Sequence, residues 1–178
     1  AGLLAAIWEL ITVFAGKLLY FLLMISFAAG LYESADRSAV FLHILFFLTI
    51  LGAFYNTYLF NPTNDKYYAI ILMRMDARRY ALTDYTYALG KVLIGFLACG
   101  LIFGLSAGLP WYVCILIPLF AAGCKLCVAG YGLWDYEKHR KATNENLPEK
   151  WIWILGAVLL AAAYALPCIQ VVMPEWVF

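Results

Sequence analysis

Three polar side chains stand inside long apolar runs of this chain: His43, Asn56 and Lys125. An ionisable group in such a run is costly and normally faces the interior of a helix bundle, paired or lining a path. Lys125 lies about ten residues, ~15 Å along a helix, before Asp135, too deep for its ammonium to snorkel easily to an interface. It therefore either lines a pathway or is paired within the bundle, and Glu9 is a candidate partner. Histidine and asparagine at such positions more often hydrogen-bond between helices than bind ligands, which is the reading taken for His43 and Asn56. Cys124-Lys125-Leu126-Cys127 has the C-x-x-C spacing, but no second Cys or His pair stands near it, so packing cysteines are favoured over zinc. His139 falls in a basic stretch and reads as solvated. No Ser-His-Asp order, paired intramembrane carboxylates or H-E-x-x-H occurs. Neither Gly16-Lys17 nor Gly90-Lys91 completes G-x-x-x-x-G-K-[ST]. No catalytic residue, metal site or cofactor is assigned to the chain.

The elements that position these residues follow from composition. The chain is 66% hydrophobic and 13% charged, against about 45–50% and about 25% for a soluble domain. A chain of this size cannot hide that excess in one core, so lipid is the expected solvent for most of it. The net charge of +1 gives a nucleic-acid partner no electrostatic support. All five cysteines sit in apolar runs, unlike a disulfide framework. The fold class expected is all-α: a polytopic membrane helical bundle with five spans, at residues 18–32, 39–60, 85–109, 111–134 and 151–173. Residues 2–16 form either an interfacial helix or the start of the first span. Gly100, Gly104 and Gly108 make two overlapping GxxxG patterns, read as a helix-packing face. Ser106 to Pro110 reads as a tight turn, and Pro118 and Pro167 as kinks tolerated in a bundle.

Lys66, Arg74, Arg78 and Arg79 fall in the second–third connection, and Lys138, Arg140, Lys141 and Lys150 in the fourth–fifth. The other two connections hold only Arg37. The alternation puts residues 61–84 and 135–150 in the cytoplasm.

Within 61–84, Asn61 and Pro62 stop the second span, and Thr63 or Asn64 can cap a new helix with Asp65 in its first turn. Tyr68, Ile71, Leu72 and Met75 then fall at i, i+3, i+4 and i+7 on one face, with Lys66 and Arg74 off it. Ile70 and Met73 give the other side apolar character as well. One apolar face suits the lipid interface; a second suits a protein. Asp76 reads as a break and N-cap, after which residues 77–82 rise into the third span past a kink at Thr83-Asp84. An ordinary basic loop is the plainer alternative.

A span, a short helix (Tyr68 to Met75), a break with a basic pair (Asp76-Ala77-Arg78-Arg79) and an ascending helix with Leu89-Gly90-Lys91 resemble the permease subunits of ABC-2 type exporters. The order of spans agrees over nearly the whole chain. The family often has Pro where Asp76 stands, and the distance from the break to Gly90-Lys91 is about one helical turn longer here, which preserves helix face. The family usually has six spans; a further one beyond Phe178 would reconcile the count, and a start at Ala1 also reads as a piece of a longer protein.

The resemblance implies a coupling helix in this connection, with Lys66, Tyr68, Ile71, Leu72, Arg74, Met75, Asp76, Arg78 and Arg79 contacting an ABC ATPase subunit. ATP and Mg would be bound by that partner and not by this chain. A second permease copy or half would complete the pathway, in the cytoplasmic membrane of a bacterium. The cargo implied is an amphipathic peptide, antibiotic or lipid-like molecule. A non-catalytic membrane scaffold, its basic loop binding a cytoplasmic protein or anionic lipid, is the alternative; an integral-membrane enzyme using Lys125 or His43 is a third.

Overall fold

The computed structural model describes residues 2–32, 36–56, 64–140 and 149–172, and among these every element is helical. The expected polar break at Glu33-Ser34-Ala35, the end of the second span with Asn61, Pro62 and Thr63, Lys141 and the interface at Pro174-Glu175-Trp176 lie outside the described residues.

Helix α1, Gly2–Leu19, passes without interruption into a π-helical stretch, Tyr20–Phe27, and a closing turn, Ala28–Gly30, making one rod. Helix α2 is Arg37–Asn56. A short α3, Asn64–Tyr67, continues as a π-helical turn, Tyr68–Leu72. Helix α4 is Ala77–Ser106, α5 is Trp111–His139 and α6 is Glu149–Cys168. Four of these are long and apolar enough to cross a membrane: Arg37–Asn56, Ala77–Ser106, Trp111–His139 and Lys150–Cys168. The first rod is not among them, because its apolar part, Phe14–Gly30, is shorter. Lys17 lies within that part.

Helix α2 is the centre of the bundle. Its residues Val40 to Leu45 are all buried, as a helix must be when apolar side chains leave it on every side. It packs against the first rod, α5 and α6, while α4 packs on α5 and on the first rod. Phe21 anchors the core: it stacks on Phe103 at 6.1 Å and meets Phe96 edge-on at 5.3 Å, geometries favoured by the ring quadrupole.

The α4–α5 pair is a hairpin. Its turn, Ala107–Pro110, needs Gly108 in the left-handed region at φ 89°. Gly100 and Gly104 face α5: a Cβ on Gly100 would lie 3.5 Å from the Cys114 carbonyl oxygen, and one on Gly104 only 2.7 Å from Cys114 Sγ. So the first GxxxG lets two backbones approach. The second does not operate, since Gly108 has left the helix and has open space about it. Both Pro118 and Pro167 sit inside continuous helices.

Helix α6 is held to the bundle by side chains that reach across to backbone carbonyls. His43 Nε2 lies 3.1 Å from the Ala162 oxygen, the Tyr55 hydroxyl donates to Ile152, and the Tyr32 hydroxyl donates to the Tyr164 oxygen at 2.7 Å. Tyr164 in turn donates to the Met24 carbonyl. Carbonyls that already serve a helix have a spare lone pair, so each bond adds without taking one away. His43 is 2% exposed, so water cannot replace the bond that leucine would lose. His43→Leu is expected to destabilise the bundle by about 1–2 kcal/mol, read as a lower melting temperature in detergent with α6 cleaved earlier by protease.

Two boundaries differ from expectation. Helix α4 begins at Ala77 and passes Thr83-Asp84 without a break; the Thr83 and Thr86 hydroxyls bond back to the carbonyls of Arg79 and Leu82. Helix α5 runs on past Asp135 to His139, where Arg140 closes it at φ 57°.

Candidate functional site

Two places gather the residues singled out from sequence. The first is the segment between α2 and α4. Helix α3 and its π-helical turn end at Leu72: the Met73 N–H bonds to the Tyr68 oxygen at 2.9 Å, and the Met75 N–H to Ala69 at 3.0 Å. Arg74 then takes φ 51°, the left-handed region that non-glycine residues rarely occupy. Met75 is therefore beyond the helix, and the expected stripe of Tyr68, Ile71, Leu72 and Met75 is not one helical face. Periodicity of 3.6 failed here because a π-helical turn changes the angle per residue. Among the described residues of this segment only Ala69 is buried. Tyr67, Tyr68, Ile71, Leu72, Met73 and Met75 are all exposed, with Met73 the most open at 72%.

Asp76 is the N-cap of α4, its Oδ1 accepting from the Arg78 N–H at 3.0 Å, which satisfies a donor the helix start leaves unpaired. Its other oxygen is 3.8 Å from Arg79 Nε, both groups well exposed, so the pair adds little stability. Lys66 is half-buried, whereas Arg74, Arg78 and Arg79 are open. An apolar patch and three cations thus share one strip of surface with almost no contact to the bundle.

The second place is a cavity of about 240 Å³ between the first rod, α2, α4 and α5. Its polar wall is Lys17, Tyr20, Thr49, Asn56 and Lys125; Leu48, Val92 and Phe96 line much of the remainder. Lys125 is placed here by α5, with Nζ 3.4 Å from the Asn56 carbonyl oxygen, and its own carbonyl accepts from the Tyr85 hydroxyl at 2.9 Å. The long contact to Asn56 is to the backbone at the end of α2. Lys17 lies along Gly95 of α4, where a Cβ would fall 2.6 Å from Lys17 Cε. Lys91 sits 4.2 Å over the Tyr87 ring. Among the described residues no carboxylate forms an ion pair with Lys17 or Lys125. The side chain of Glu9, the expected partner of Lys125, lies outside those described.

Lys17, Thr49 and Tyr20 escaped the sequence reading. A single lysine in an apolar run and a threonine in a span carry no motif; only Gly95, one of five glycines in the third span, hinted at a close approach. His43 and Asn56 do not meet: the first bonds α6, and the second stands at the far end of α2, on the cavity wall. Cys124 and Cys127 are one helical turn apart on α5, and no cluster of three metal-ligating side chains occurs among the described residues. His139 is bonded rather than simply solvated: its Nδ1 is 2.9 Å from Oδ1 of Asp135, a carboxylate 5% exposed.

Comparison with family models, with curated proteins and with solved structures finds no match to this chain.

Proposed function

We propose that the chain is the membrane-spanning permease subunit of an ABC-2 type exporter and that the strip from Lys66 to Arg79 is its coupling segment. The observation that carries this reading is the solvent-facing patch of Tyr67, Tyr68, Ile71, Leu72 and Met73 beside three open arginines, on a short helix suspended between two long ones. An apolar centre with a basic rim is the anatomy of a protein-docking surface. The outward-facing Leu, Ile, Phe and Trp side chains of the bundle support a lipid setting, since a water-exposed surface of that character would aggregate. In this reading the first rod is the fifth crossing, its buried Phe21, Ile25 and Ala29 seating it against the core. The two basic connections face the cytoplasm. ATP and Mg are handled by a separate ATPase, whose closure pushes on the coupling segment, and α4, capped at Asp76 directly behind it, carries the push into the bundle. A second permease copy or half completes the pathway.

The test is co-expression with an ABC ATPase from a neighbouring reading frame, and the absence of any such frame would itself count against the reading. Co-purification with hydrolysis stimulated above that of the ATPase alone is expected. A complex that forms with no nucleotide dependence would favour a non-catalytic scaffold.

A further inference from the structure

A threonine inside a helix ordinarily returns its hydroxyl to the carbonyl four residues back, as Thr12, Thr83 and Thr86 do here. Thr49 does not. It is 5% exposed, it lines the cavity, and its Oγ1 has no hydrogen-bond partner among the described residues. The Tyr20 hydroxyl comes close enough to interact with it, but outside the geometry of a full hydrogen bond, so Thr49 is at best incompletely paired. A buried hydroxyl left unpaired is costly, and its usual explanation is something that fills the site. Lys17 from the first rod and Lys125 from α5 line the same space, where two like charges disfavour each other. Two like charges and an under-paired hydroxyl around one void are relieved together by an anion, which can accept from all three. Water would satisfy the hydroxyl but not the charge.

We propose that this cavity is an anion site that takes a phosphate group, its oxygens accepting from Lys17 Nζ, Lys125 Nζ and Thr49 Oγ1. Room is sufficient: about 240 Å³ is several times the ~30 Å³ share of one water. Lysine suits a phosphate as a compact point charge with three donors. Leu48, Val92 and Phe96 make the remaining wall apolar, which fits a phosphate carried on a hydrocarbon chain better than a free one. The site does not depend on the transport reading.

The test uses the full chain purified in uncharged detergent, titrated with lysophosphatidate, lysophosphatidylcholine and inorganic phosphate. Saturable binding of lysophosphatidate is expected, with lysophosphatidylcholine at least about tenfold weaker because its choline offsets the charge. Lys17→Gln and Lys125→Gln should each weaken binding about tenfold or more, and Thr49→Val about fivefold. Lys17→Arg and Lys125→Arg keep the charge and should keep most of the affinity, which separates a lost site from a lost fold. Tighter binding of lysophosphatidate than of inorganic phosphate assigns the ligand to a lipid; equal binding assigns it to free phosphate, and both outcomes support the site. Equal affinity for the two lysolipids would overturn it, as would glutamine variants that bind within about twofold of wild type. Binding that appears only in Glu9→Gln would also overturn it, because the lysines would then already have a carboxylate.

Discussion

The double substitution Ile71→Glu/Leu72→Glu is expected to abolish stimulation of the partner ATPase while the protein still inserts and folds. Ile71 and Leu72 are 58% and 61% exposed, so neither contributes much to the bundle, and stability should change by less than about 0.5 kcal/mol per site. At a docking surface the same two positions would be central, and truncating or charging central apolar anchors costs about 2 kcal/mol or more each, some thirtyfold in affinity. Two carboxylates forced into an apolar contact would raise that cost. Assay of ATP hydrolysis against concentration of the partner checks this, with melting temperature as the fold control. Arg78→Glu/Arg79→Glu should act differently, slowing association and inverting its salt dependence, because these cations lie on the rim. The cap of α4 survives that change, since Asp76 accepts from the Arg78 backbone and not its side chain.

Gly104→Leu should give the largest loss of stability. Even a Cβ at this position would stand 2.7 Å from Cys114 Sγ and 3.6 Å from Leu109 Cδ1, inside the hairpin of α4 and α5. Overpacking of this kind costs about 1–3 kcal/mol, and a whole isobutyl group between two helices belongs at the upper end. The melting temperature in detergent should fall and the hairpin should loosen. Gly123→Ala is the contrast: nothing lies within 4 Å of a Cβ there, so relief of the helical glycine penalty, about 1 kcal/mol, is expected to stabilise. If the collision at Gly104 is with the thiol, Gly104→Ala combined with Cys114→Ala should recover much of the loss of Gly104→Ala alone, a coupling a double-mutant cycle measures.

These cases show what the sequence made legible and what it could not. Apolar runs longer than a bilayer is thick located α2, α4, α5 and α6, because nothing else in water or lipid hides that much hydrocarbon. The turn from Ser106 to Pro110 and the cap at Asp76 were readable from local chemistry, but Gly108, counted from sequence in a packing face, instead supplies the left-handed φ of that turn. Boundaries fared worse where a charged residue could look like a stop. Asp135 marks no loop, since it bonds His139 one turn on and keeps α5 intact. The stripe through Met75 failed because it assumed α-helical geometry across a π-helical turn and a left-handed Arg74. The cavity was invisible for a different reason: Lys17, Thr49 and Lys125 come from three helices far apart in sequence, and only packing brings them together.

The most direct test of the coupling claim is a photo-activated cross-linker placed at position 72, in membranes of cells that carry the partner, with and without ATP. An adduct with a nucleotide-binding subunit, its yield changed by ATP, is the predicted result. Cross-linking to lipid alone, or labelling of position 72 only from the outer side of the membrane, would contradict it.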